Sequence, residues 1–129
     1  MHDDDHAHLT RIELEPAPGP KEHAADHSYS FVAPLSIGGT LDLNAWKAKR
    51  ALCFVHRVGR DGDIRHGLLM HRAGGTSGST WVFDYELGRG EEEAGFRFET
   101  HRFIEGGYVA IRDEDGLAHT FRVASVKPA

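Results

Sequence analysis

The sequence lacks several features that would assign it to a protein class at once. It has one cysteine, Cys53, so an internal disulfide is excluded. It has no apolar run approaching the roughly 18 residues that a membrane-spanning helix needs. The N-terminal MHDDDHAH is acidic, whereas a secretory signal is basic and then apolar. We therefore expect a cytoplasmic protein with no membrane partner.

Positive charge is also scarce where a nucleic-acid-binding protein would concentrate it. Residues 1–27 hold seven acidic and two basic residues, which accounts for the entire formal net charge of −5, so residues 28–129 balance to zero. A neutral body has no electrostatic attraction for nucleic acid, and we expect no nucleic-acid partner. The acidic residues 1–8 predict a disordered leader, and residues 9–129 a single domain.

Local motifs for catalysis or metal binding are missing as well. The sequence contains no H-E-x-x-H, C-x-x-C or G-x-S-x-G pattern. Its glycine-rich AGGTSGST lacks the lysine of a phosphate-binding loop. The sequence alone therefore leaves open whether the protein is an enzyme, and any site has to be assembled from residues distant in the chain.

Short alternating runs separated by glycine are what the sequence does contain. Fifteen glycines fall mostly between runs of apolar and polar residues with a period of two. This pattern predicts an all-β fold of eight to nine short strands, arranged as one antiparallel β-barrel or a barrel-like sandwich. At most one short helical turn is expected, over residues 44–51 with Asn44 as its N-cap.

The segment HRVGRDGDIRHGLLMHR, residues 56–72, predicts a hairpin about its glycine-centred turn. Pairing Val58 with Ile64 places His56 opposite His66. The face that carries both histidines is the more apolar one, and we predict that it points into the core, with His71 on the other side. The predicted core face comprises Leu52, Phe54, His56, Val58, Ile64, His66, Leu68 and Met70.

The other strands are assigned in the same way. An Asp115–Gly116 turn would pair Arg112 with His119 and place both near the rim on the core face. The same register would put Tyr108 opposite Val123 on that face. Further inward side chains are predicted at Trp81, Phe83, Tyr85, Leu87, Phe96 and Phe98. GRGEEEAG is predicted to be a solvated loop, because its glutamates avoid burial.

An aromatic interior with a polar rim is typical of a small-molecule-binding barrel. We therefore predict that the lumen binds a small apolar or aromatic ligand. The residues expected to contact it are His56, His66, Trp81, Tyr85, Tyr108, Arg112 and His119.

Two other functions remain open. His56, His66 and His119 would hold a divalent metal such as zinc in a metal-dependent enzyme if the two hairpins met at one rim. Alternatively, the chain is a homo-oligomeric module, such as a homodimer, with a filled core and no catalysis.

The leader assignment gives a first prediction. Deleting residues 1–8 should lower the thermal midpoint by less than about 5 °C, which corresponds to roughly 1 kcal/mol for a domain of this size. Calorimetry of the full-length and shortened chains measures the difference. A larger loss would mean that the leader contributes to the fold.

Overall fold

The computed structural model describes residues 8–18, 25–72, 80–85, 92–95, 97–113 and 116–129. These residues form eight β-strands and a helix. Their bounds are β1 His8–Pro16, β2 His27–Leu35, α1 Leu43–Lys49, β3 Phe54–Gly59, β4 Ile64–Arg72, β5 Thr80–Asp84, β6 Glu92–Gly95, β7 Tyr108–Arg112 and β8 Ala118–Pro128. Of the predicted leader, His8 is the first residue of β1, and residues 1–7 lie outside the described residues.

The strands form a closed antiparallel barrel. Each strand pairs with the next along the chain, and β1 pairs with β8 to complete the circle. The all-β prediction is thereby confirmed, and of the two arrangements the barrel is the one that forms. We call the end at which β1, β3, β5 and β7 finish the upper end, and the end at which they begin the lower end.

Helix α1 packs at the lower end. Its N-cap is Asp42, whose Oδ1 accepts a hydrogen bond from the Ala45 amide at 3.0 Å, and not Asn44 as predicted. The Trp46 indole packs edge-on against Trp81 with ring centroids 5.5 Å apart. The described residues contain no helix that is long and apolar enough to cross a membrane.

Aromatic side chains fill the barrel interior. As predicted, the side chains of Trp81, Phe83 and Tyr85 point inward and are buried. Phe98, which follows β6, is also buried, as predicted. A Cβ atom on Gly95 would lie 2.4 Å from the Phe98 ring. The ring therefore packs where any residue other than glycine would clash with it. The predicted core residues Leu87 and Phe96 lie outside the described residues. The largest fully buried side chains include Phe31, Phe83, Phe98, Phe121, Ile12, Leu14, Leu69 and Ile111.

The β3–β4 hairpin has the predicted register but the opposite orientation. His56 pairs with His66 as expected. However, Val55 and Leu69 are fully buried, whereas Phe54 and Ile64 are 49% and 50% exposed.

The prediction that Leu52, Phe54, His56, Val58, Ile64, His66, Leu68 and Met70 form a core face is therefore wrong. The inward face carries Arg57 and Arg65, whereas the sequence pattern predicts that both are solvated. The pattern is misleading because the interior partners of these arginines come from elsewhere in the chain. Counting apolar residues on the two faces of one hairpin does not detect such partners.

The β7–β8 hairpin is shifted by one residue from the predicted register. Asp113 donates its amide proton to the Leu117 carbonyl at 2.9 Å, and Gly116 closes the turn with a φ of 85°. A longer loop with glycine in the left-handed conformation replaces the predicted two-residue turn. Arg112 consequently pairs with Ala118, and Ile111 pairs with His119. The predictions that Tyr108 and Arg112 face the core are wrong, because both point outward.

The two phenylalanines that the sequence placed in the core should now behave differently. Phe98→Ala should lower the free energy of unfolding by about 3–5 kcal/mol, because a fully buried ring leaves a cavity. Phe54→Ala should cost less than about 1 kcal/mol, because half of the ring is already in solvent. Urea unfolding of both variants measures the difference, and equal losses would contradict the observed orientation of β3.

Candidate functional site at the upper end of the barrel

A group of polar side chains faces the interior at the upper end. We call it the upper polar cluster, and it consists of His27, Tyr29, Arg57, Arg65, Tyr85 and Glu93. Arg65 pairs with Arg57 across β3 and β4, and each of the other five lies two residues from an inward apolar residue or directly opposite one. Glu93, for example, pairs with Phe83 across β5 and β6. Strand alternation therefore brings these side chains inward together with the core residues.

Glu93 lies at the centre of the cluster and is 2% exposed. Its Oε1 accepts hydrogen bonds from the hydroxyls of Tyr29 at 2.8 Å and Tyr85 at 2.6 Å. Its Oε2 accepts from Arg57 Nε at 3.2 Å. Three donors, from β2, from β3 and from the residue after β5, thus hydrogen-bond one buried carboxylate.

The electrostatics of the cluster keep its donors protonated. Burial raises the pKa of the Tyr29 hydroxyl, and the adjacent Glu93 carboxylate raises it further. Burial also raises the pKa of Tyr85. Burial is the largest single effect on the Arg57 guanidinium and lowers its pKa, but Glu93, Tyr29 and Tyr85 together raise that pKa overall. Both tyrosines therefore remain neutral donors, and Arg57 remains charged.

His27 connects the cluster to the rim. Its Nε2 lies 3.0 Å from the Tyr29 hydroxyl, whose single proton goes to Glu93, so Nε2 is the donor. Nδ1 then accepts from Arg57 Nη2 at 3.2 Å, and it also lies 3.1 Å from Asp26 Oδ1. Burial lowers the pKa of His27, against the opposing effect of Asp26, so the ring is neutral at pH 7.

The resulting chain of hydrogen bonds runs from His27 through Tyr29 to Glu93. A chain of this kind holds an imidazole in one tautomer and can move a proton between its ends. Arg65 adds a second guanidinium, which lies 4.6 Å from the centroid of the Tyr85 ring in a cation–π contact.

An open cleft of about 320 Å³ lies beside the cluster at the upper end. His27 lines this cleft and is the point at which the cluster borders it. Its lining residues are Pro16, Ala25, Asp26, His27, Ser28, Val58, Gly59 and Arg60. The cleft therefore combines apolar walls, a neutral imidazole and one charged side chain of each sign.

A larger open cleft, of about 680 Å³, lies at the lower end between β1, the turn after β2 and the segment before β7. Exposed Ile37 and Ile104 stand at its margins. Among the described residues that line it, the ionisable ones are His8, Arg102 and Glu105, and all three are exposed. This cleft is large, but its described lining residues lack a group of polar side chains that could bind a ligand together.

The structure brings together only part of the site predicted from sequence. Tyr85 belongs to the upper polar cluster, and His119 lies beside it with its ring 6.1 Å from that of His27. Trp81 packs at the lower end against Trp46. His56, His66, Tyr108 and Arg112 point outward.

The three histidines predicted to hold a metal are not gathered at one point. His56 and His66 are neighbours on the outside, whereas His119 faces the interior and contacts Asp113 Oδ2 at 3.3 Å. Within the described ranges, no group of three or more His, Cys, Asp and Glu side chains is placed to hold a metal ion.

Sequence reasoning missed the centre of the site. Glu93 looked like part of a solvated glutamate run, but Glu92–Gly95 is strand β6, and alternation turns Glu93 inward. The one usable signal was that Arg57 and Arg65 lie on the same face of their strands as Val55 and Leu69, which are fully buried.

Comparisons with protein-family models, with curated proteins and with solved structures find no match for this chain. The function is therefore inferred from the geometry of the upper end.

The neutral state of His27 makes stability dependent on pH. Its pKa is lower in the folded than in the unfolded chain, so the unfolded chain binds the proton more readily, and stability should fall as the pH drops below about 6.5. For one proton the slope is at most about 1.4 kcal/mol per pH unit. His101, whose pKa is also lowered by burial, adds to the same trend.

Urea unfolding between about pH 7.5 and pH 5 measures this slope. His27→Gln should reduce it, because glutamine keeps a donor but does not titrate. His8→Gln, at an exposed position on β1, controls for the loss of an imidazole. If His27→Gln has the same slope as the unmodified protein, the buried imidazole is not responsible.

Proposed function

We propose that this barrel binds a small aromatic or apolar molecule that carries a hydrogen-bonding group, and that the ligand docks at the upper end against His27 and the upper polar cluster. The observation that carries the proposal is the buried Glu93 carboxylate, held by Arg57, Tyr29 and Tyr85 and connected through the Tyr29 hydroxyl to His27, which lines an open cleft.

A purely structural role does not require this arrangement. Replacing a buried ion pair with apolar side chains of similar volume is often neutral or stabilising. Elsewhere the same interior is filled by phenylalanine rings, such as Phe31 and Phe83 in contact at 5.1 Å. A few convergent polar groups at the mouth of an apolar barrel are the usual form of a small-molecule site.

The filled interior supports a ligand position at the mouth of the barrel. Tyr29, Phe83 and Phe121 are already in ring contact beneath His27, with centroids 5.0–5.2 Å apart. A ligand in the upper cleft would lie between the apolar walls Pro16 and Val58 and hydrogen-bond near the rim. The volume of about 320 Å³ is at the lower end of the range for ligand sites, which favours a small molecule.

Two-dimensional NMR titrations with benzoate, phenol and aniline as probes test the proposal. The three probes share an aromatic body and differ in the charge and polarity of the attached group. At least one should shift the amide signals of Ala25, His27, Ser28 and Gly59, while Gly38, at the lower cleft, stays unchanged. Shifts confined to the lower cleft, or no shifts with any probe, would refute binding at the upper end.

Variants test the part played by the cluster. Glu93→Gln should weaken binding of the best probe at least about tenfold, which is about 1.4 kcal/mol. Glu15→Gln is the matched control, because Glu15 is paired with Arg122 at 3.0 Å on the exposed outer surface. If Glu93→Gln folds poorly, His27→Gln provides the same test at the rim. Unchanged affinity in the folded variants would show that the cluster is structural.

A further inference from the structure

The outside of the barrel carries a close pair of histidines that the upper end does not use. His56 and His66 lie directly opposite each other on β3 and β4, and both are exposed. Their ring centroids are 4.7 Å apart. In the part of the chain that the structure describes, neither imidazole makes a hydrogen bond to another side chain, so their ring nitrogens are available to a ligand.

The hydrogen-bond ladder explains why these rings are so close. Backbone bonds join Gly59 to Asp63 at 2.7 Å and Leu69 to Cys53 at 2.8 Å. Because hydrogen-bonded and non-hydrogen-bonded pairs alternate along an antiparallel ladder, His56 and His66 form a non-hydrogen-bonded pair. In such pairs the Cα atoms are about 4.5 Å apart and the side chains are closest. Two imidazoles in this position can bind one metal ion together.

The ligand set within one chain is incomplete. No third His, Cys, Asp or Glu among the described residues joins the pair to form a metal-binding group. Zinc in a structural site takes four nitrogen or sulfur ligands in a tetrahedron, with Zn–N distances of about 2.0–2.1 Å. The described residues of one chain therefore supply two of the four ligands, and a second chain can supply the other two.

The surface around the pair is suited to a second copy of the same chain. We call it the histidine face, and besides the two histidines its outward side chains are Ser30, Val32, Phe54, Val58, Ile64 and Leu68. None of these carries a charge, whereas the outer face of β1 carries Arg11, Glu13 and Glu15. Two histidine faces can approach each other without like-charge repulsion, and Phe54 and Ile64 would be covered by the contact.

We propose that His56 and His66 bind a divalent transition-metal ion of the Zn²⁺ class, and that the same two histidines of a second copy complete its coordination. A two-fold axis places the same residues of both chains around one point, so it supplies four imidazoles. The dimer contains one ion for two chains. The inference does not rest on the proposed ligand site, because neither His56 nor His66 lines the upper cleft.

Sedimentation velocity of the full chain, with Zn²⁺ or with EDTA at about pH 7.5, tests the proposal. Protons compete with the metal for imidazole, so lower pH is avoided. The leader also contains His2, His6 and His8, and their combined replacement with alanine is the matched control. We expect the unmodified chain and this control to dimerise with zinc, with one bound ion per two chains, and to be monomeric in EDTA.

His56→Ala and His66→Ala should each abolish zinc-dependent dimerisation and weaken zinc binding at least tenfold. Ile64→Lys, an exposed substitution that leaves both imidazoles in place, should weaken the dimer by placing like charges across the contact. A chain that stays monomeric with zinc bound would overturn the proposal, because the second copy is part of the site. A dimer that forms equally in EDTA, or equally without His56 and His66, would overturn it as well.

Discussion

Pairing of β1 with β8 is the constraint on which the rest of the structure depends. It runs from Thr10 opposite Pro128 to Pro16 opposite Phe121, with one irregularity after Glu13. Closure removes the free edges that an open sheet would expose. It also places every second side chain of each strand in a closed interior, whether that side chain is apolar, polar or charged. The apolar core and the upper polar cluster are both consequences of this geometry.

Charges that closure turns inward need partners there. Arg57 and Glu93 come from β3 and β6, which are not neighbours in the sheet, and they meet across the interior at 3.2 Å. The two tyrosine hydroxyls donate to the other carboxylate oxygen, Oε1. Taking an ionised pair out of water is costly unless both ions are well hydrogen-bonded, and here they are. The polarity is concentrated at one end, while helix α1 and its tryptophan pack at the other.

The outside of the barrel is divided as well. The β1–β8 side carries exposed polar contacts, such as Glu15 with Arg122 at 3.0 Å and Glu13 with Ser125 at 2.6 Å. The histidine face carries no charge and leaves Phe54 and Ile64 half exposed. On the β3–β4 hairpin the arginines point inward and Phe54 points outward. This orientation underlies both the proposed ligand site and the proposed metal site. Strand β3 contributes to both, with Arg57 in the upper polar cluster and His56 on the outside.

The sequence by itself determined the class of fold, because strand periodicity and glycine-bounded turns are local properties. It also determined the register of the β3–β4 hairpin, since the Gly59–Asp63 turn sets which residues face each other. The orientation of that hairpin was decided only by the tertiary structure. Both of its faces carry apolar residues, and the deciding partners of Arg57 and Arg65 are Glu93 and Tyr85, which lie 36 and 20 residues away along the chain. Burial of a charge depends on what the closed barrel places opposite it, and no window of sequence around the charge contains that information.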